Sequence, residues 1–127
     1  MPQAEPAEPV LDEAVLAELL ATTGDDPAFL RELVETYLAE APAQVEAIAV
    51  AVARADAAAL VRPAHTLKSS SATMGALRLS AVARRLEMAG RSGALDHDAA
   101  VDAETVRAEC QSASDALTAW LAREASA

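Results

Sequence analysis

The chain of 127 residues is short of aromatic rings, glycine and cysteine, and each shortage removes a class of function. Phe, Tyr and Trp occur once each, so no row of rings is available on which single-stranded nucleic acid could stack. A net charge of −10 opposes nucleic acid and anionic membranes as well. The glycines (Gly24, Gly75, Gly90, Gly93) are scattered, form no Gly-rich phosphate loop, and are joined by no set of ATP-binding motifs. Self-phosphorylation from ATP is therefore not expected. Cys110 is the single cysteine, which excludes an intramolecular disulfide and makes a reducing cytoplasm the simplest location. No apolar run is long enough to span a bilayer, and no signal-peptide pattern opens the sequence.

What is present is helical. Hydrophobic residues make up 53% of the chain, many of them alanine, the strongest helix former, and no long period-2 alternation suggests strands. Residues 1–10, rich in proline and glutamate, read as a disordered tail. Asp12 caps a short first helix whose buried face is Val15, Leu16, Leu19 and Leu20. Asp26-Pro27 is a strong start for a second helix, with Leu30, Leu33, Val34, Tyr37, Leu38 and Ala41 on its apolar face. Pro42 is expected to break or kink that helix before Val45, Ile48, Ala49 and Val52. A further helix should span about Ala57 to Thr73, with Pro63 bending it and Gly75 closing it. Leu79, Val82, Leu86 and Ala89 mark the next helix, before a loop from Gly90 to Gly93. The last helix carries Ala103, Val106, Cys110, Ala113, Leu117 and Trp120 at alternating three- and four-residue spacing. The expected fold is all-α, an antiparallel four-helix bundle over residues 11–125 with a short additional N-terminal helix.

One segment stands apart from this scaffold: Ala64-His65-Thr66-Leu67-Lys68-Ser69-Ser70-Ser71-Ala72-Thr73-Met74-Gly75-Ala76. It sets His65 three residues before Lys68, the only lysine of the chain. On a helix, His65, Lys68 and Ser69 share a face with Ala72 one turn further on, while Leu60, Ala64, Leu67, Ser71 and Met74 form a second stripe suited to a core. A nucleophilic imidazole with a cation beside it, on a surface of small side chains, suits transient carriage of a phosphoryl group. The segment also lies in the one basic stretch of an acidic chain. Residues 54–91 carry a net +5 and the remainder −15. Such a stretch can steer an acidic partner, although solvated helix faces produce similar runs.

The segment resembles the phosphorylation-site helix of histidine-containing phosphotransfer (HPt) domains, whose pattern reads approximately H-x-L-K-G-S-x-x-x-x-G-A. Here it stands as His65-Thr66-Leu67-Lys68-Ser69-Ser70 followed by Gly75-Ala76, with Ser69 where the family most often has glycine. Gly24-Asp25-Asp26-Pro27-Ala28-Phe29-Leu30 is similar to the start of the family's second helix. The resemblance implies a phosphorelay intermediate rather than an enzyme. His65 would be the phosphoacceptor, Lys68 would stabilise the phosphoryl group, and Ser69 would be a phosphoryl contact or a small spacer. The partner would be the receiver domain of a response regulator, a hybrid histidine kinase, or both. The receiver would supply the aspartate and Mg²⁺, so no cofactor is expected on this chain. Ala58, Val61, Arg62 and Ala72 would extend the docking face along the same helix, flanked by Arg84 and Arg85. A monomer is expected.

Two other classes compete. One is an HPt-like interaction module that carries no phosphate, against which an intact His65 and Lys68 argue. The other is a small helical enzyme or cofactor bundle, against which the lack of a second histidine at ligand spacing and of a Glu-x-x-His pattern argues. His97, between Asp96 and Asp98, is the only other histidine, and adjacent residues do not converge on one helix face.

Overall fold

The computed structural model describes residues 8–126, so residues 1–7 of the expected tail lie outside the described residues. Five helices follow one another: α1 (Glu13–Thr22), α2 (Pro27–Ala53), α3 (Ala57–Thr73), α4 (Leu77–Ser92) and α5 (His97–Ser126). Their starts are fixed by aspartates, as side-chain oxygens of Asp12, Asp26, Asp56 and Asp96 accept from backbone N–H groups of the first turns of α1, α2, α3 and α5. Pro27 occupies the first position of α2, where a missing N–H costs nothing.

The four long helices form a closed ring in which α2 packs on α3, α3 on α4, α4 on α5 and α5 back on α2. Short connections force neighbours to run antiparallel. The packing of α3 on α4 is the most extensive of the molecule, and it is the pair that builds the site. The core is aliphatic, with Leu16, Leu30, Ile48, Leu60, Leu67, Leu79, Leu86 and Leu117 fully buried. Val10 and Leu11 already pack against this core ahead of α1. In α1 only Leu16 is fully buried, and Leu19 and Leu20 lie partly buried against the core. Among the described residues no helix is long and apolar enough to cross a membrane.

Two sequence expectations are corrected by packing. Pro42 neither breaks nor ends α2, which runs unbroken from Pro27 to Ala53. A proline removes one intrahelical hydrogen bond, but Tyr37, Ala41, Val45 and Ile48 form a buried stripe on both sides of Pro42. That shared face holds the helix through the exposed proline, since tertiary packing supplies most helical stability. The second correction is Gly90, expected in a loop but found buried inside α4. A Cβ there would lie 2.9 Å from the Ala57 carbonyl oxygen and 3.0 Å from Val61 Cγ2. Glycine is what lets α4 approach α3 so closely.

The α3–α4 turn is tied down by the segment before α1. Gly75 has a φ of +81°, and the Asp12 N–H donates to its carbonyl at 2.8 Å. A Cβ at Gly75 would meet the Asp12 carbonyl oxygen at 2.5 Å, so both the left-handed conformation and the close approach require glycine. Tyr37 and Ser71 share a buried hydroxyl–hydroxyl bond of 2.8 Å that joins α2 to α3, and burial pushes the tyrosine pKa up to about 12.

Candidate functional site

The register of α3 is the one expected from its sequence. Leu60, Ala64, Leu67, Ser71 and Met74 all face the core. His65, one residue out of step with that stripe, projects to solvent with 53% of its side chain exposed. Ala58, Arg62 and Ser69 are exposed on the same side, while Val61, Lys68 and Ala72 are half-buried where α3 meets its neighbours. Ser69 forms no side-chain hydrogen bond among the described residues, which leaves its hydroxyl open on the surface beside His65.

The decisive side chain comes from α4. Glu87 is buried, 5% exposed, and points its carboxylate at α3. Its Oε2 lies 3.0 Å from His65 Nδ1, and its Oε1 lies 2.6 Å from Lys68 Nζ. Arg91, one turn along α4, donates to the same Oε2 from Nε at 3.0 Å and from Nη2 at 2.7 Å. A buried carboxylate survives only with such partners. The Lys68 contact above all, then Arg91 and His65, hold the Glu87 pKa down at about 2 against the opposing effect of burial. The ionised carboxylate has no proton to give. The His65–Glu87 bond must therefore be donated by Nδ1–H, so that whenever the ring is neutral its lone pair is on Nε2.

The motif reading had assigned no function to Glu87. A signal was present: it is one of two carboxylates in the basic stretch 54–91, and it falls on the apolar side of α4 between Leu86 and Gly90. Lys68 sits where expected beside His65, but its ammonium is engaged by Glu87 rather than free. Arg84 is exposed and without a carboxylate partner among the described residues. Arg85 is different, since it is paired with Asp102 of α5 at 3.2 Å. Arg78 is held by both carboxylate oxygens of Glu109, at 2.7 and 2.8 Å. His97 opens α5 and is exposed. Among the described residues no group of three or more His, Cys, Asp or Glu is arranged to hold a metal ion. Cys110 and Trp120 are core residues, as read from the spacing of α5.

An all-α bundle that displays one imidazole on a basic helix face, with its second nitrogen held by a buried carboxylate, defines a histidine phosphotransfer carrier. The Hpt domain model matches residues 32–124, and the chain belongs to that family. Comparison with solved structures finds histidine-containing phosphotransfer protein B (HptB) from Pseudomonas aeruginosa PAO1, at 27% sequence identity and a TM-score of 0.80. That match covers 92% of this chain and 98% of the other. The HPT domain of an Hpt sensor hybrid histidine kinase from Shewanella has the same fold, with 18% identity and a TM-score of 0.73 over 90% of this chain and 95% of that one. Comparison with curated proteins returns no match. The protein is a phosphorelay component, of the kind that works with receivers and histidine kinases.

Proposed function

We propose that His65 is the phosphoacceptor, and that it takes a phosphoryl group from, or returns it to, the aspartate of a receiver domain. The observation that carries this reading is the fixed ring: Nδ1 is bound to Glu87 and Nε2 is left to solvent. In the forward step the Nε2 lone pair attacks phosphorus and the bond to the aspartyl oxygen breaks, returning its electron pair to the receiver carboxylate. Positive charge develops on the imidazole as the N–P bond forms, and the Glu87 carboxylate faces that charge across the ring. Lys68 is placed to leave Oε1 of Glu87 and pair with the phosphoryl oxygens once they arrive. Ser69 keeps the approach open.

The chain thus acts as a carrier with a positioned nucleophile, not as a turnover catalyst. It needs no cofactor of its own, and Mg²⁺ belongs to the receiver. A reducing cytoplasm suits its single thiol. An interaction module without phosphate would have no use for the three-way hold on Glu87. The test is His65→Gln, which should abolish acid-labile, base-stable labelling by a phosphorylated receiver while helicity by circular dichroism is kept. Full labelling of that variant would place the acceptor elsewhere, with His97 the next residue to replace. Most large apolar residues are consumed by one face per helix, and the exposed ones, Phe29, Val50, Met88 and Val101, lie on different helices or turns, so light scattering at micromolar concentration should give the monomer mass. A stable dimer would contradict this.

A further inference from the structure

The most lightly packed helix is α1, and the space beside it has the shape of a binding site. It packs on α2 and α3, but its backbone does not approach that of α5. Between α1, the start of α2 and the end of α5 lies a cleft of about 440 Å³. Leu16, Ala17 and Leu20 line it from α1, Leu30 from α2, and Trp120 and Leu121 from α5. No residue of α3 or α4 borders it, so it is separate from His65. Such a volume is more than tenfold the roughly 30 Å³ that one water occupies in the liquid. It falls within the range of about 300 to 1,000 Å³ typical of small-molecule sites, which combine apolar walls with a few polar groups. The charged groups here are Glu13, Arg31 and Glu124. Glu13 is already paired with Arg123 at 2.7 Å. Arg31 is half-buried and has no carboxylate partner among the described residues. Its Nη2 reaches the Leu121 carbonyl oxygen at a long 3.4 Å, which leaves most of its N–H donors unused within the protein. Acidic residues outnumber basic ones twenty to ten, so this arginine is not unpaired for want of carboxylates.

We infer that this cleft binds a small amphipathic carboxylate: an aliphatic or aromatic body fills the gap between α1 and α5, and the carboxylate pairs with Arg31. The inference stands apart from the phosphotransfer reading, since it uses none of the same side chains. A guanidinium presents a planar fork that matches two carboxylate oxygens, and such charge-assisted pairs are among the strong hydrogen bonds. Partial burial of Arg31 favours the contact, because charges held away from bulk water are screened less. Glu124 is exposed, so its repulsion of the same anion is screened more. The net charge of −10 acts from further off and fades beyond about 10 Å at 0.1 M salt. Entry is cheap. The Glu13–Arg123 pair that spans α1 and α5 is exposed at both ends, and exposed pairs contribute little. A second copy of this chain is a poorer occupant. A stable dimer buries about 800 Å² on each partner, and the cleft is a slot between three helices rather than a broad face.

The experiment titrates sodium decanoate into the full chain, with decan-1-amine and decan-1-ol as cationic and neutral probes of the same length. Trp120, the single tryptophan, borders the cleft, so its fluorescence reports occupancy. Decanoate should give a saturable change with helicity by circular dichroism retained. Its half-saturating concentration should lie about tenfold below that of decan-1-ol, the difference made by a charge-assisted pair. Arg31→Gln should raise the decanoate value to that of decan-1-ol and leave decan-1-ol as it is. Ala17→Phe, at an exposed position of α1, should weaken both by filling the cleft. An absence of saturable change at millimolar decanoate would overturn the inference, as would a fluorescence change that tracks loss of helicity. Equal or tighter binding of decan-1-amine would do the same, because the charge selected would then be that of Glu124. So would an Arg31→Gln variant that binds decanoate as the unaltered protein does. A concentration-dependent dimer that Ala17→Phe dissolves would make a second copy the occupant and overturn it too.

Discussion

Glu87, only 5% exposed, takes up three positively charged or hydrogen-donating groups, and the proposed chemistry of His65 rests on it. Because its pKa is held at about 2, the carboxylate stays an acceptor through the range in which an ordinary one near 4.5 titrates. A depressed carboxylate stabilises the fold above its unfolded pKa, and that contribution is lost as pH falls from about 4.5 toward 2. Glu87→Ala should lower the transfer rate by roughly 10- to 100-fold, the range for losing a carboxylate that orients a functional histidine ring. Glu87→Gln should restore part of it, because an amide oxygen can still accept from Nδ1–H. The specific check is the imidazole ¹⁵N spectrum of the unaltered protein. It should show Nδ1 protonated and Nε2 bare, and the opposite tautomer would remove Glu87 from this role. His65, Lys68 and Ser69 were legible in the sequence because they lie within one helical turn and a half. Glu87 was not, because it lies 22 residues from His65 and meets it only through the register of two packed helices.

That register is a property of the elements. Most helix limits were legible, since aspartate caps, Pro27 and apolar spacing are local signals. The exceptions were two residues whose local meaning is overridden by packing. Pro42 is a helix breaker in isolation, yet the buried stripe of α2 runs past it. Gly90 looks like loop punctuation, yet it marks the closest approach of α3 and α4. Only the partner helix reveals which meaning applies. Gly90→Val should show the cost: the new side chain meets backbone at the Ala57 carbonyl, which cannot swing aside as a side-chain tip could. We expect a loss of about 2 kcal/mol, read as a fall in Tm of roughly 5 to 12 °C. Transfer should slow as well, because moving α4 outward lengthens the 3.0 Å bond between Glu87 and His65. A variant with unchanged Tm and unchanged transfer would show that the two helices can separate without loss, and that the close packing is not what holds the site.

At the scale of the whole molecule, the charge asymmetry has to be reread through its ion pairs. Four of the seven basic residues between 54 and 91 are engaged: Lys68 and Arg91 by Glu87, Arg78 by Glu109 and Arg85 by Asp102. Arg54, Arg62 and Arg84 have no such partner among the described residues, and of these Arg84 lines the same shallow surface depression as Lys68. The sequence showed the basic stretch but not which of its charges were already spent on α5. The net charge of −10 also repels an acidic partner, so the range over which charge is felt decides the outcome. At 0.01 M salt the screening length is about 30 Å and the whole molecule contributes. At 0.1 M it is about 10 Å, and a receiver approaching His65 would feel mainly the basic residues around it. The association rate should therefore fall by roughly three- to tenfold between 0.1 M and 1 M salt, as local attraction is screened away. The plateau rate should move far less, since opposite charge raises encounter more than it alters the step that follows. Arg84→Ala should flatten this dependence. Stopped-flow transfer at several receiver concentrations separates the two rates. An association rate that stays level across that salt range in the unaltered protein would reduce the basic stretch to solvated surface.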